Sequence, residues 1–584
     1  MSQPFSFVQI TDIHIGAKTP AEWLAEDLRQ IEAEVGSRVD FIAATGDLTD
    51  TGTEEECRGY VEALKATRLK VHPVVGNHDY VNGTWKEGKY DAGSYQKHIS
   101  PLNYSFDHKG VHFVSYDSIQ KGNEAVPSEW LLADLEAQPH ERPIVVLVHY
   151  PLTAKFYDAL KRYPIVATLS GHWHTSRLYH DGKIAHFNSP SLCFGGIDYS
   201  PRGYRVFRWD GQTLHCQTVP LKRPQPQQKS PASISVGWSA PLDAESHIAA
   251  PLLVNGRVIA GLMNENEMNR GALACWDAES GKQLWRVPLK ASVKNTPASH
   301  QDLAIAATVT GEVTAVNVAD GQTRWTYQLG DPSERWIFSA PVVKDGKVYV
   351  GSAPHFAALN ADTGKPIWVR EGLNGSDWIS SYVSPVCDGE RVYMGFFWGR
   401  TNLIALNAAS GETLWQLLHK DGDTSSTPVL DGKGALYAMR SEFVQKIDTA
   451  TGNILWKFKV GEVWNPATPL VEDGVVYAAS GAGKVFALDA ETGVERWSWE
   501  CGDDIASMLA YRRGSKTIVS SPRRAGSNIV IGCNDGRLVG LAAKDGVLQW
   551  AHDFGVPVTA TPVIDRHRIF LPSRDGQLYA LRVP

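Results

Sequence analysis

No apolar run in the 584-residue chain approaches the roughly 20 residues that a membrane-crossing helix needs, so no membrane partner is expected. The chain also lacks any adjacent cysteine pair and any CxxC. Its cysteines (Cys57, Cys193, Cys216, Cys275, Cys387, Cys501 and Cys533) are scattered and odd in number. Reduced thiols are expected from that spacing, and neither a disulfide framework nor a zinc–thiolate site. An excess of positive charge is missing too. The net charge of −7 excludes a general polyanion binder and leaves room only for local basic pockets. No basic stripe is interleaved with aromatics, so nucleic acid is not an expected partner. Met1 to Ile10 carries no basic leader and no apolar h-region, and reads straight into a strand. The cytoplasm is the expected location, or the periplasm or exterior had a leader been removed.

What is present breaks into two halves near residue 222. The run from Lys222 to Pro231 is rich in Pro and Gln without apolar periodicity, and reads as a semi-rigid linker. Expected boundaries are 1–221 for an N-terminal domain, 222–232 for the linker and 233–584 for a C-terminal domain. The first half is of α/β order, with polar motifs closing apolar strands. Strands are expected at Phe5–Ile10, Phe41–Thr45, Val71–Val75, Val111–Tyr116 and Ile144–Val148. Capping boxes are expected at Thr19–Glu22, with Pro20 as the first helical residue, and at Thr53–Glu56. Leu24, Leu28, Ile31 and Val35 follow the first box at helical spacing, and Gly36 reads as the stop.

The second half repeats itself. Ala274–Trp285, Ala358–Trp368 and Ala405–Trp415 share an apolar strand, an Asp/Asn-x-x-Ser/Thr-Gly turn and a strand carrying Trp. Hairpins with Asp-Gly or Asn-Gly turns precede each unit, as in Pro341–Gly351. The repeat tryptophans run from Trp285 to Trp550, with neighbouring gaps that include 40, 43 and 41 residues, and a period near 40–45 is that of a four-stranded propeller blade. The last unit lacks its Trp strand, and a matching strand stands at Ser235–Leu242. An all-β, eight-bladed propeller is therefore expected, closed by one N-terminal and three C-terminal strands. This half resembles the propellers built from pyrroloquinoline-quinone-type repeats. Quinone dehydrogenases of that type carry a vicinal cysteine pair, which is absent here, so no quinone cofactor is expected. The same repeat builds cofactor-free propellers that bind proteins, which makes a protein partner on the propeller an expectation. The repeat tryptophans are read as packing residues between blades.

The chemistry-bearing residues lie in the first half. In order they are Asp12-Ile-His14, Gly46-Asp47, Gly76-Asn77-His78-Asp79, His149 and Gly171-His172-Trp-His174. Each follows an apolar strand. If strand alternation persists, Asp12 with His14 and His172 with His174 point the same way. The preceding glycines would let the backbone turn sharply. Imidazole, carboxylate and amide donors without thiolate suit Mn, Fe, Zn or similar divalent ions. The order D-x-H, G-D, G-N-H-D, H, G-H-x-H resembles the calcineurin-like metallophosphoesterases, over residues 5–221. It looks most similar to the bacterial branch with cyclic-nucleotide and glycerophosphodiesterases. That resemblance implies a four-layer αββα sandwich. It implies one metal on Asp12, His14, Asp47 and His174, and a second on Asp47, Asn77, His149 and His172. His78 would help the leaving group, with Asp79 orienting it. The expected activity is hydrolysis of a small phosphate ester, a diester before a monoester, by a metal-bridging hydroxide. The propeller would position substrate or bind protein. The alternatives are a propeller-based scaffold and a phosphomonoesterase. Substrate choice is assigned to Tyr80–His98 (with Trp85, Lys86, Lys89, Tyr90 and Tyr95), to Pro151–Tyr163 (with Lys155, Lys161 and Arg162) and to Phe194–Tyr204, each against a reading as solvated loop, helix face or simple turn.

Overall fold

The computed structural model describes residues 2–583 except 120–126, 223–233, 264, 267–270, 335–338, 374–382, 515 and the side chains of Trp85 and Asp421. Two compact units emerge. The first is Met1–Lys222, and it takes in two short pieces of downstream chain, at 265–268 and Ala506–Arg513. The second is the remainder. From residue 223 onward the expected linker lies outside the described residues.

The first unit runs β1 (Phe5–Ile10), α1 (Ala21–Val35), β2 (Phe41–Thr45), α2 (Glu54–Ala63), β3 (Lys70–Val74), α3 (Gly93–His98), β4 (Tyr104–His108), β5 (Val111–Ser115), α4 (Glu129–Glu136), β6 (Ile144–Leu147), α5 (Ala154–Leu160), β7 (Ile165–Ser170), β8 (Arg177–His180), β9 (Ala185–Asn188), β10 (Gly203–Trp209) and β11 (Leu214–Pro220). One sheet has the order β11-β10-β1-β2-β3, with β1, β2 and β3 parallel. The other has the order β4-β5-β6-β7-β9-β8, with β5, β6 and β7 parallel. The sheets share an aromatic core of Phe5, Phe7, Phe41, Phe113, Phe187 and Phe207. Phe7 and Phe41 stack there at 4.9 Å. Helices α1, α2 and α3 cover the first sheet through Leu24, Leu28, Tyr60 and Tyr95. Helices α4 and α5 cover the second through Leu131, Leu135, Phe156 and Leu160. The layers are α, β, β, α, as expected.

The two capping boxes fare differently. Thr53 caps α2 reciprocally with Glu56. Thr19 caps nothing. Pro20 is itself the extended N-cap of α1, with no side-chain bond. The backbone of Thr19 is instead taken up by a turn with Gly16, at 3.0 and 3.2 Å. Gly36 does end α1, but in right-handed conformation, its N–H on Glu32 O.

The second unit is an eight-bladed propeller of four-stranded antiparallel sheets. One sheet joins Ser235–Pro241 to the strands Gln577–Arg582, Arg568–Pro572 and Val563–Asp565. The hairpin residues Asp345 and Gly346 have φ of 49° and 70°, the two left-handed residues that a type I′ turn needs.

The repeat tryptophans lock neighbouring blades. Trp325 lies on Gly364 of the next blade, and its Nε1 donates to Ala361 O at 3.0 Å. Trp238, Trp285, Trp368, Trp415, Trp456 and Trp497 repeat both contacts on the turns that follow them. The repeat glycine is needed twice over. Its φ is left-handed, and a Cβ would strike the indole. Trp550 departs from the pattern. In the blade beyond it, the inner and outer strands come from opposite ends of the chain, so no repeat turn links them. Trp550 folds over Gly540 of its own sheet, and its Nε1 has no hydrogen-bond partner among the described residues.

Candidate metal centre

The sequence-selected ligands leave the carboxyl ends of parallel strands, where open α/β sheets place their ligands. Asp12 and His14 follow β1, Asp47 follows β2, and Asn77 follows β3. His149 follows β6, and His172 and His174 follow β7. Strand alternation does not aim them. The strands end before the ligands, and Asp12, His14, Asp47, His172 and His174 all have left-handed φ, between 49° and 70°. For residues other than glycine this conformation is strained, and such strain clusters at functional sites. Neighbouring loops impose it. The carbonyl of Asp47 accepts from both Ile13 N and His14 N at 2.9 Å. The backbone N–H of His172 donates to Asp12 at 3.0 Å.

The glycines also act differently from expectation. Only Gly46 has positive φ, at 93°. A Cβ on Gly76 would lie 2.1 Å from Asp47 N, and one on Gly171 2.0 Å from Thr11 Oγ1. These two serve close approach of loops, not a sharp turn.

Asp47 stands at the centre. Its Oδ2 is 3.1 Å from His149 Nε2 and 3.5 Å from His14 Nε2. His174 Nε2 is 3.2 Å from both Asp12 Oδ1 and His14 Nε2. The donor atoms form two groups that share Asp47: Asp12, His14, Asp47 and His174, and then Asp47, His149 and His172. In each, the ligand atoms lie within 4.8 Å of one another. A third group of His14, Asp50 and His78 adjoins them. Asn77 is buried, and its Oδ1 has no hydrogen-bond partner among the described residues.

The electrostatics fit a cation site. Burial works to raise Asp47, but His149, His78 and His14 hold its carboxyl well below the usual range. Burial likewise opposes the ionised form of Asp12, and His174 overcomes it. Burial disfavours charge on His149 as well, yet the Asp47 carboxylate pushes it up to about 9. His149 Nδ1 faces Thr45 O at 2.9 Å, which orients Nε2 toward Asp47. A ring held through its other nitrogen is a pre-set metal ligand. His174 Nδ1 is buried without a hydrogen-bond partner among the described residues. Buried carboxylates and imidazoles in such density are paired or bind metals. The donor chemistry therefore fits divalent metal, with Asp12, His14, Asp47 and His174 in one group and Asp47, His149 and His172 in the other.

The geometry separates His78 from Asp79. His78 is half-exposed beside the group, and its Nδ1 faces Asp50 O at 2.7 Å. Asp79 is fully buried and turned away. Its carboxylate accepts from Gly76 N, Thr49 N, Thr49 Oγ1 and Leu48 N. It ties the Asn77 loop to the Asp47 loop, and burial pushes it up to about 6. Asp50 is thus the residue that orients His78. It closes the same Gly46–Asp50 loop, and that proximity was its only sequence signal. Asp79→Asn would set an NH2 against these donors. It should lower stability by ~2 kcal/mol and reduce metal occupancy together, read by thermal unfolding and bound-metal assay. An effect on leaving-group dependence alone would restore the orienting role.

The expected substrate segments divide as well. Tyr95 is core, not rim. Lys161 pairs with Asp158, and Arg162 with Glu136. Pro151–Tyr163 is thus largely the α5 helix face. The side chain of Trp85 lies outside the described residues. Phe194 does border the site, with its ring 5.3 Å from His174 and 5.6 Å from His14.

Comparison with known proteins agrees with both units. A family model described as calcineurin-like phosphoesterase matches residues 5–176. A second, described as outer membrane protein assembly factor BamB, matches 230–335, 269–442 and 399–584. Among curated relatives, a 3',5'-cyclic-nucleotide phosphodiesterase of Nostoc sp. is 26% identical over 215 residues, 33% of this chain and 79% of that protein. BamB of Yersinia pestis is 25% identical over 337 residues, 53% of this chain and 80% of that protein. The crystal structure of BamB from Moraxella catarrhalis aligns at 19% identity and TM-score 0.47, covering 60% of this chain and 98% of that one. The chain therefore belongs to the family of BamB-type propeller repeats, and it carries that propeller behind a calcineurin-like phosphoesterase domain.

Proposed function

We propose that the chain is a binuclear metal-dependent phosphodiesterase, with the propeller serving to position substrate or bind a protein partner. One observation carries this reading: two donor groups from separate strand ends meet on a single carboxylate, Asp47. Two divalent ions, when bound, supply Lewis acidity toward a phosphoryl oxygen and lower the pKa of a water. The chain's own residues do the rest. Asp47 sits between the two sets of imidazoles. His78, its Nδ1 held by the Asp50 carbonyl, would in its doubly protonated form give the Nε2 proton to a departing alkoxide. The choice of a diester is supported by the Nostoc relative, whose name states cyclic-nucleotide phosphodiesterase.

The test is one panel on the metal-loaded full chain. Bound metal should approach two ions per chain. Hydrolysis of bis(4-nitrophenyl) phosphate should exceed that of 4-nitrophenyl phosphate by about tenfold in kcat/KM, ~1.4 kcal/mol. A faster monoester would reverse the assignment, and a metal-loaded chain inert on both would favour the scaffold reading.

A further inference from the structure

The first unit includes Ala506–Arg513, a segment that in sequence lies between the propeller strands Glu495–Glu500 and Arg523–Ala525. It is built into the unit at several points. Ser507 O accepts from Arg202 N at 2.9 Å, and Gly195 bridges Ala510 as a parallel pair. Arg513 donates to the buried Asp27 at 3.0 Å and to Glu26 at 3.0 Å, and it lies 5.0 Å over the Trp23 ring. Arg202 reaches the same Asp27 oxygen at 2.8 Å. Gly195 admits the segment, since a Cβ there would lie 2.1 Å from the carbonyl carbon of Met508.

Between these anchors stands Tyr511. Its φ is 55°, a left-handed conformation that is unfavourable for a bulky side chain. The strained backbone delivers the ring to the metal cluster. Its centroid is 5.1 Å from His174 and 5.2 Å from Phe194, and 36% of the residue stays exposed. Phe194, tilted 32° to it, is buried beside the same histidine. A half-exposed ring backed by a buried one, and clamped from both sides, is a pre-formed apolar wall at the edge of a cluster of charged ligands. Aromatic faces of this kind stack flat organic groups.

We propose that Tyr511 is a specificity-determining residue of the metal site, and that with Phe194 it selects phosphate esters whose organic group is a flat aromatic ring, such as an aryl or nucleobase-bearing group. The substrate class rests on the phosphoesterase reading above. The placement of the wall does not. Gly195, Asp27 and Arg513 are positioning residues for it.

The experiment measures binding as well as turnover on the metal-loaded full chain. Phenylphosphonate and methylphosphonate, which present the same phosphoryl oxygens and are not hydrolysed, are titrated by calorimetry. The wild-type chain should prefer phenylphosphonate by about tenfold. Tyr511→Ala should remove that preference with bound metal unchanged, and Tyr511→Phe should keep it. Turnover of bis(4-nitrophenyl) phosphate should fall about tenfold in Tyr511→Ala. A preference that survives Tyr511→Ala, or an equal loss on both phosphonates, overturns the proposal. A preference present in a chain that hydrolyses nothing overturns the phosphodiesterase reading and leaves Tyr511 in place.

Discussion

Asp47→Asn is expected to lower phosphodiesterase kcat/KM by on the order of 10³-fold or more and to reduce bound metal. Asp47 is the one residue common to both donor groups built around it. Its carboxylate is held ionised by three histidines against strong burial, and that places a negative charge where two cations would meet. Asparagine keeps the shape and one oxygen but removes that charge. A cation contributes several kcal/mol of transition-state stabilisation, and each ~1.4 kcal/mol lost is a tenfold fall in rate, so about 4 kcal/mol gives three decades. The amide of His78 donates to Asp47 Oδ1 at 2.8 Å, a bond that the oxygen of an asparagine side chain can still accept, so the loops should stay in place. Thermal unfolding within ~1 kcal/mol of wild type would then separate lost charge from lost fold. Wild-type rates with full metal content would remove Asp47 from its shared position.

The ligand list was legible because each ligand directly follows an apolar strand, and strand ends show in sequence. Its geometry was not. Asp12 and His14 converge because the Asp47 carbonyl binds two successive amides and forces left-handed backbone, a tertiary effect that overrides the alternation of β1. Asp79 and Asp50 are the same residue type near the same histidine. Only the structure shows which carboxylate faces loop amides and which lies beside the His78 ring. Tyr95 looked like a loop aromatic because α3 is six residues long, too short to display a helical period. Tyr511 could not have been found at all. It stands far downstream of His174, and no local pattern links the two. In the propeller, by contrast, the repeat phrase showed most of the architecture, since seven of its tryptophans meet the turn of the following blade.

Trp325→Ala is expected to destabilise the second unit by ~3–5 kcal/mol. Trp325 is 8% exposed, and its removal opens a cavity over Gly364. It also leaves Ala361 O without the indole donor. Gly364→Ala attacks the same junction from the other side. Its φ of 69° is left-handed, and the new Cβ would sit 2.5 Å from the ring. Phenylalanine substitutions separate packing from hydrogen bonding. Trp325→Phe keeps most of the apolar contact and loses one bond, for ~1 kcal/mol beyond the change in volume. Trp550→Phe loses no bond, because Trp550 Nε1 has no partner. It removes a buried unsatisfied donor, which offsets part of the lost volume. Urea unfolding of the full chain should therefore rank Trp325→Ala lowest, Trp325→Phe next and Trp550→Phe nearest to wild type. Equal midpoints for the two phenylalanine variants would show that the inter-blade indole bonds add nothing to stability. The tryptophans would then act by volume alone.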